Sequence, residues 1–361
     1  MTETPNLSRV PNLKKLILQG CTKLSKIHAS IGNLKQLIRL DFNGCKCLKS
    51  LPQKINLESL EVLILSGCSR LKKFPDVVGN MSRLSELYLN ETAIKDLPLS
   101  VKHFTGLIKL DLRDCKNLSS LPNSCCSWMS LKILTLSGCS KLDELPETLG
   151  NLKGLKALDV SGTVVKGLPV SINLLKNLRV VSFHRCEGLS PKSSTKLLNF
   201  PLMLRRSLDQ NPMGILVHAL SGLCSLTELD ISYCNVQTIP DAIGCLSSLS
   251  KLDLKGNNFV CLPKSMIQLS NLGVLDLNYC TSLQSLPELP LTIENIHVRD
   301  CTSLETLSIR PDDDFCPTLD LLNCVKLIEN QGYGDVLSTM LRRYFMNYQV
   351  SFFLYVCLFC M

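Results

Sequence analysis

Aromatic side chains are scarce in this chain, 5% of 361 residues with a single tryptophan, so any core must be packed by aliphatic side chains. Histidine is sparse too. His28, His103, His184, His218 and His297 are the only five, and none sits in a nucleophile or metal motif, so catalysis has no visible machinery. A phosphate loop of the form GxxxxGK[S/T] is missing, which excludes a nucleotide switch of that type among these residues. Met1 to Gly20 lacks the apolar core of a signal peptide. The apolar tail from Val350 to Met361, preceded closely by Arg342 and Arg343, is shorter than the roughly 20 residues a bilayer span requires, so no stable membrane span is expected. Nineteen cysteines are many, yet the number is odd, the chain is long and paired CxxC motifs are absent. That pattern argues against a secreted disulfide scaffold and against a zinc site, and for a reducing, cytoplasmic or nuclear setting. No cofactor and no metal are expected.

Charge is distributed unevenly. Residues 1–80 hold 13 Lys and Arg against 5 Asp and Glu, while the remaining 281 hold 26 of each, so the first quarter carries the whole net charge of +8. A basic face attracts nucleic acid, anionic lipid or acidic protein. No aromatic platform or basic helix of a nucleic-acid module accompanies it, and a solvated flank is the simpler expectation.

Alignment of the chain on itself gives a frame, LxxLxLxxC, followed in most copies by xxLxxLP. Copies begin at Leu13, Leu37, Leu60, Leu84, Leu107, Leu131, Leu155, Leu178, Leu226, Leu249, Leu272, Ile293 and Cys316, and are numbered here as repeats 1 to 13. Most starts lie 23 or 24 residues apart, within the range of leucine-rich repeats. In the copy at Leu131, the step Leu134, Leu136 has strand period, which puts those leucines on one face and Ile133, Thr135 and Ser137 on the other. One repeat cannot bury that leucine face alone, but stacked repeats can. The expected fold is therefore an α/β leucine-rich-repeat solenoid, a horseshoe with a concave parallel β-sheet and an irregular or short-helical convex side. Proline in the return half, such as Pro146, suits a turn because it fixes φ and donates no hydrogen bond.

The ninth frame position faces inward at the end of the strand. It is occupied by Cys21, Cys45, Cys68, Cys115, Cys139, Cys186, Cys234, Cys280, Cys301 and Cys324, with Thr92, Thr163 and Asn257 as exceptions. A thiol is a weak donor and a small hydrophobe, so these ten are read as a structural ladder rather than as metal ligands or redox sensors.

Two irregularities stand out. Between Leu178 and Leu226 the spacing doubles, and the stretch from Ser190 to Leu220 holds no complete frame, so an insertion or a degenerate repeat is expected there. At the start, Thr4 and Pro5 precede Leu13 as the tail of a repeat whose strand is missing, which makes the chain read as a piece of a longer protein cut on its N-terminal side. The repeat domain is expected to cover residues 1–331. Residues 332–361 form a non-repeat segment, with a short amphipathic helix expected from Val336 to Asn347.

The cysteine ladder, the return phrase Leu145 Pro146 Glu147 Thr148 Leu149 Gly150 Asn151 Leu152, and GC or SGC at strand ends together resemble one family, the leucine-rich-repeat region of plant TIR-NBS-LRR disease resistance proteins. The opening Thr4 Pro5 Asn6 Leu7, then Val10 Pro11 Asn12 Leu13, is similar to that family's early repeats, and the closing Leu321 Leu322 Asn323 Cys324 Val325 Lys326 Leu327 Ile328 Glu329 Asn330 to its last. The resemblance covers about residues 3–331. It implies a recognition module in defence signalling, with a pathogen effector, a host target or the receptor's own nucleotide-binding module as protein partner. A leucine-rich-repeat adaptor without an immune role shares the architecture, and an enzyme is the reading the sequence supports least.

Binding is expected on the concave face. The fifth frame position is Asp in seven repeats: Asp41, Asp111, Asp159, Asp230, Asp253, Asp276 and Asp320. Three are consecutive, so Asp230, Asp253 and Asp276 should form a carboxylate column, relieved by Lys251, Lys255 and Arg299. With Tyr233, Asn278, Tyr279 and His297 this column makes a candidate contact surface, the tyrosines serving as anchors.

Overall fold

The computed structural model describes residues 1–189, 216, 219–220, 222–308 and 317–329. Nearly all of the expected insertion, the expected helix from Val336 to Asn347 and the apolar tail lie outside them. The chain divides into two compact units, Met1–Gly188 and Leu189–Met361.

The frame governs both units. In the first, eight three-residue strands pair in parallel with their chain neighbours, from Lys15–Ile17 through Arg39–Asp41, Val62–Ile64, Glu86–Tyr88, Lys109–Asp111, Ile133–Thr135 and Ala157–Asp159 to Val180–Ser182. In the second, Glu228–Asp230, Lys251–Asp253, Val274–Asp276, Asn295–His297 and Thr318–Asp320 do the same. Each pair matches identical frame positions, so Leu134 faces Leu110 on one side and Leu158 on the other. The frame leucines become the core. Leu131, Leu134 and Leu136 are fully buried, whereas Ile133 is 38% exposed on the opposite face.

Among the described residues the first strand has no outer neighbour, and its side chains show it. Leu13, Leu16, Leu18 and Cys21 are only half-buried, and Ile17 is 54% exposed. Residues before it lie along the return side, where Glu3 bridges Lys26 and Thr4 Oγ1 accepts the His28 N–H at 2.8 Å.

The return legs are 3-10 turns such as Glu147–Asn151 and Asp241–Cys245, interrupted by short strand pairs, Lys54–Ile55 with Asp76–Val77 and Ser285–Leu286 with Thr306–Leu307. Proline starts most of these turns. Pro98, Pro122, Pro146, Pro169, Pro240 and Pro263 each precede one, with φ between −61° and −76°, and their carbonyls accept the first 3-10 hydrogen bond. The helical part of the expected α/β class is thus 3-10 in character. Among the described residues, Val325–Glu329 is the longest α-helical segment.

The cysteine ladder is a ladder of hydrogen bonds. The thiols of Cys45, Cys68, Cys115, Cys139, Cys280, Cys301 and Cys324 donate to the carbonyls of Leu18, Phe42, Leu89, Leu112, Leu254, Leu277 and Val298 at 2.9–3.3 Å. Each acceptor is the sixth frame residue of the preceding repeat. Cys186 and Cys234 use other carbonyls, those of Val165 and Ser232. Asn257 shows what an amide adds at this position, because its Oδ1 also accepts the Cys234 and Val236 N–H groups while Nδ2 donates to Ile231 and Leu254. Burial pushes the thiol pKa of Cys68, Cys139 and Cys280 up to about 12, so these groups stay protonated and are poor metal ligands.

Candidate functional site

On the strand face, the fifth, seventh and eighth frame positions adjoin a turn whose geometry recurs in every repeat. At the eighth position the backbone turns left-handed in all thirteen repeats. Six of these residues are glycine, from Gly20 (φ 71°) to Gly256 (φ 65°), and seven are not: Glu91, Asp114, Arg185, Tyr233, Tyr279, Asp300 and Asn323. The turn orients the N–H toward the seventh-position carbonyl of the next repeat, as in Gly138 to Ser161 at 2.7 Å and Tyr279 to Arg299 at 2.7 Å. This column of hydrogen bonds continues the stacking beyond the strand.

Aspartate at the fifth position closes the same turn. Oδ1 of Asp41, Asp111, Asp159, Asp230, Asp253 and Asp276 accepts the N–H two residues on, at 2.9–3.1 Å. The abundance of Asp in this frame position therefore has a local cause. What differs between repeats is the second carboxylate oxygen. In the first unit, Arg39 pairs with Asp41 at 3.1 Å and Arg113 with Asp111 at 2.7 Å, and both carboxylates are buried.

In the second unit the expected column is present. Asp230, Asp253 and Asp276 pair in register, and His297 and Asp320 continue the row. Lys255 Nζ lies 3.0 Å from Asp276 and 3.7 Å from Asp253, bridging the two. Burial raises the Asp253 pKa, and the charges of Asp230 and Asp276 raise it further, against the Lys255 N–H and ammonium. Arg299 does not relieve the column, contrary to the expectation from sequence. It pairs with Asp320, one repeat further on, because its strand-end residue points toward the next repeat. Lys251 is exposed and forms no ion pair among the described residues.

The remaining candidates adjoin this row. Asn278 Oδ1 accepts the Arg299 N–H at 2.7 Å. Tyr233 and Tyr279 are 37% and 49% exposed, each in the left-handed conformation where glycine is the easy choice. The Tyr233 ring lies over Gly256, where an added Cβ would meet Cδ1 and Cε1 at 2.3 Å. Holding a tyrosine at such a φ costs on the order of 1–3 kcal/mol. The repeat frame puts the two tyrosines beside the column but does not reveal their backbone; glycine before the ladder cysteine in several repeats is the available signal.

A second surface on the strand face was not foreseen. Tyr88 replaces Asp at the fifth position of repeat 4, its hydroxyl donates to Glu86 Oε2 at 2.8 Å, and Lys109 Nζ sits 5.0 Å from its ring centroid. Tyr88 and Glu86, with Arg39, Asn43 and Arg113, line a shallow hollow. Among the described residues no cluster of three metal-ligating side chains occurs, and no helix is long and apolar enough to cross a membrane.

Comparison with known proteins follows the repeats. Residues 56–145 match the family described as disease resistance protein RPS4B-like, leucine-rich repeats, and residues 225–246 match the leucine-rich-repeat family. The chain is 39% identical over 305 residues to TMV resistance protein N of Nicotiana glutinosa, covering 83% of this chain and 24% of that protein. It is 38% identical over 302 residues to disease resistance-like protein DSC1 of Arabidopsis thaliana, covering 84% and 23%. The chain thus spans about a quarter of the length of these relatives. Solved structures agree on the fold. A leucine-rich-repeat protein of Leptospira interrogans, LIC12759, superposes with a TM-score of 0.56 at 20% identity, over 95% of this chain and 92% of that one. The functional domain of InlJ from Listeria monocytogenes, which includes a cysteine ladder, gives 0.53 at 15% identity over 86% and 63%. The frame, the stacked parallel strands and the ladder make this chain a leucine-rich-repeat solenoid, and its sequence is similar to plant disease resistance proteins over more than four-fifths of its length.

Proposed function

We propose that this chain is the recognition part of an intracellular plant immune receptor, and that the strand face of residues 228–299 contacts its protein partner. The family likeness supports the immune role. One structural observation supports the surface: two exposed tyrosines occupy left-handed positions that six other repeats give to glycine. A strained, exposed aromatic pair beside a charged row fits an anchor for a partner better than it fits a demand of the fold. The partner is a pathogen effector or a host target; packing against the nucleotide-binding module of the same receptor would hold the receptor off until that partner binds.

The test is the Tyr233→Ala, Tyr279→Ala double variant in the full receptor. Loss of the defence response, with protein level and melting temperature unchanged, is the expected result. A normal response from the double variant, together with loss on deleting residues 190–220, would move the site to the insertion.

A further inference from the structure

A different part of the strand face carries a different chemistry. Elsewhere on the face four cations are each neutralised by an aspartate at a fifth position: Arg39, Arg113, Lys255 and Arg299. Repeats 6 and 8 have Thr135 and Ser182 at that position, and Asp159 of repeat 7, between them, accepts the Ser161 N–H through Oδ1. At the second frame position of repeats 6, 7 and 8 stand Lys132, Lys156 and Arg179, all exposed. Their backbones are locked in one column, since Lys132 N–H donates to Ile108, Lys156 N–H to Lys132 and Arg179 N–H to Lys156, each at 2.8 Å. Neither Lys132 nor Lys156 forms an ion pair among the described residues. Beside them runs a column of apolar side chains, Ile133, Ala157 and Val180, paired in register, and Ile108 at the neighbouring edge is 38% exposed.

We propose that this face of repeats 6–8 docks an acidic amphipathic α-helix of a partner protein. Charge sets the sign of the partner, because a desolvated lysine column needs carboxylates opposite it. The apolar column sets its class. A nucleic-acid backbone would use the cations and leave Ile133 and Val180 without a partner, whereas an amphipathic helix fills both columns. Spacing selects helix over strand. Adjacent repeats repeat at about 4.8 Å, and successive turns of an α-helix rise about 5.4 Å, so three rungs and three turns differ by roughly 1 Å in total. Flexible Lys and Arg stems absorb that difference. Same-face residues of an extended strand lie about 6.7 Å apart and would drift by nearly 4 Å over the same distance. This surface lies in the first unit and is independent of the tyrosine surface proposed above.

The experiment uses the whole chain and two synthetic Ala-rich helices of about 20 residues, one with Glu at turn spacing beside a Leu row, the other with Lys in place of Glu. Fluorescence anisotropy should show the Glu helix binding in a salt-dependent way and the Lys helix failing to bind. Lys132→Glu with Lys156→Glu should weaken the Glu helix at least about tenfold and let the Lys helix bind, at an unchanged melting temperature. Tyr233→Ala with Tyr279→Ala should leave Glu-helix binding unchanged, which separates this surface from the first. The proposal is overturned if the Glu helix does not bind, if it binds the charge-reversed variant equally well, or if single-stranded DNA or phosphatidylserine vesicles use the same lysines while the peptide does not.

Discussion

Replacing Tyr279 by glycine and, separately, by alanine removes the same phenol ring, so the difference between the two variants isolates the backbone. In an ordinary strand or helix alanine is the more stable of the pair by roughly 0.5–1 kcal/mol, because glycine loses more freedom on folding. At residue 279 φ is 63°, where alanine bears a left-handed penalty of about 1–2 kcal/mol and glycine bears none. The two effects oppose, and the net should favour glycine by about 0.5–1 kcal/mol. Both variants keep the N–H that bonds Arg299 O at 2.7 Å, so the inter-repeat hydrogen bond does not enter the comparison. Urea unfolding midpoints at constant slope measure the difference. Thr135, in mid-sheet, is the control, and there alanine should exceed glycine. If alanine matches or exceeds glycine at 279, the left-handed turn is not a local requirement, and the inference drawn from tyrosine strain fails with it.

Three further expectations test the frame. Leu136→Ala should cost roughly 2–5 kcal/mol, since its side chain is fully buried, while Ser137→Ala should be nearly neutral; equal melting shifts would refute the register. The ladder thiols have folded pKa values raised above their ordinary 9.0, up to about 12 for Cys139, so the stability they confer is complete below pH 9 and is lost as pH rises toward 12. Cys139→Ala should therefore flatten the fall in melting temperature between pH 8 and 10.5, and an unchanged slope counts against the buried thiol. Asp253→Asn keeps an Oδ1 acceptor for the Lys255 N–H and removes a charge whose pKa is raised by burial and by its neighbours. It should raise stability at pH 7, with the gain shrinking as pH falls toward 3.8, whereas Asp111→Asn should destabilise by breaking the Arg113 pair; the same sign for both would refute the distinction.

How much of this was legible beforehand depended on whether a feature is written in residue type. The leucine frame is, so the buried Leu131, Leu134 and Leu136, the parallel register and the inward cysteines followed from spacing alone. The alignment of Asp230, Asp253 and Asp276 followed from the same register. Backbone handedness is not written in residue type when seven of thirteen positions carry a side chain, so the left-handed turn under Tyr233 and Tyr279 stayed hidden. Return legs were legible where proline fixes φ before a 3-10 turn, as at Pro146. They were not legible where Lys54–Ile55 and Asp76–Val77 pair as strands instead, because neither stretch has the alternating pattern that marks a strand. The Arg299 pairing was missed for a different reason: reach along the stacking direction is a three-dimensional quantity, and Asp320 is nearer than the column.

The fifth-position aspartates show why abundance in a repeat protein points away from function. Six of the seven accept the N–H two residues on, so the turn favours a short acceptor there, whatever the repeat binds. A residue favoured by the turn is a poor discriminator between partners. Specificity then has to come from the departures: from the second-position column Lys132, Lys156 and Arg179 in repeats 6 to 8, and from Tyr233 and Tyr279, which replace glycine at a backbone cost. The seventh position tunes the rest. Arg113 turns Asp111 inward into a buried pair, while Lys255 leaves Asp253 and Asp276 half-exposed and shared. Asp111 is thereby silent and Asp253 displayed, and the difference lies two residues downstream of each, whereas Asp41 is paired from two residues upstream by Arg39.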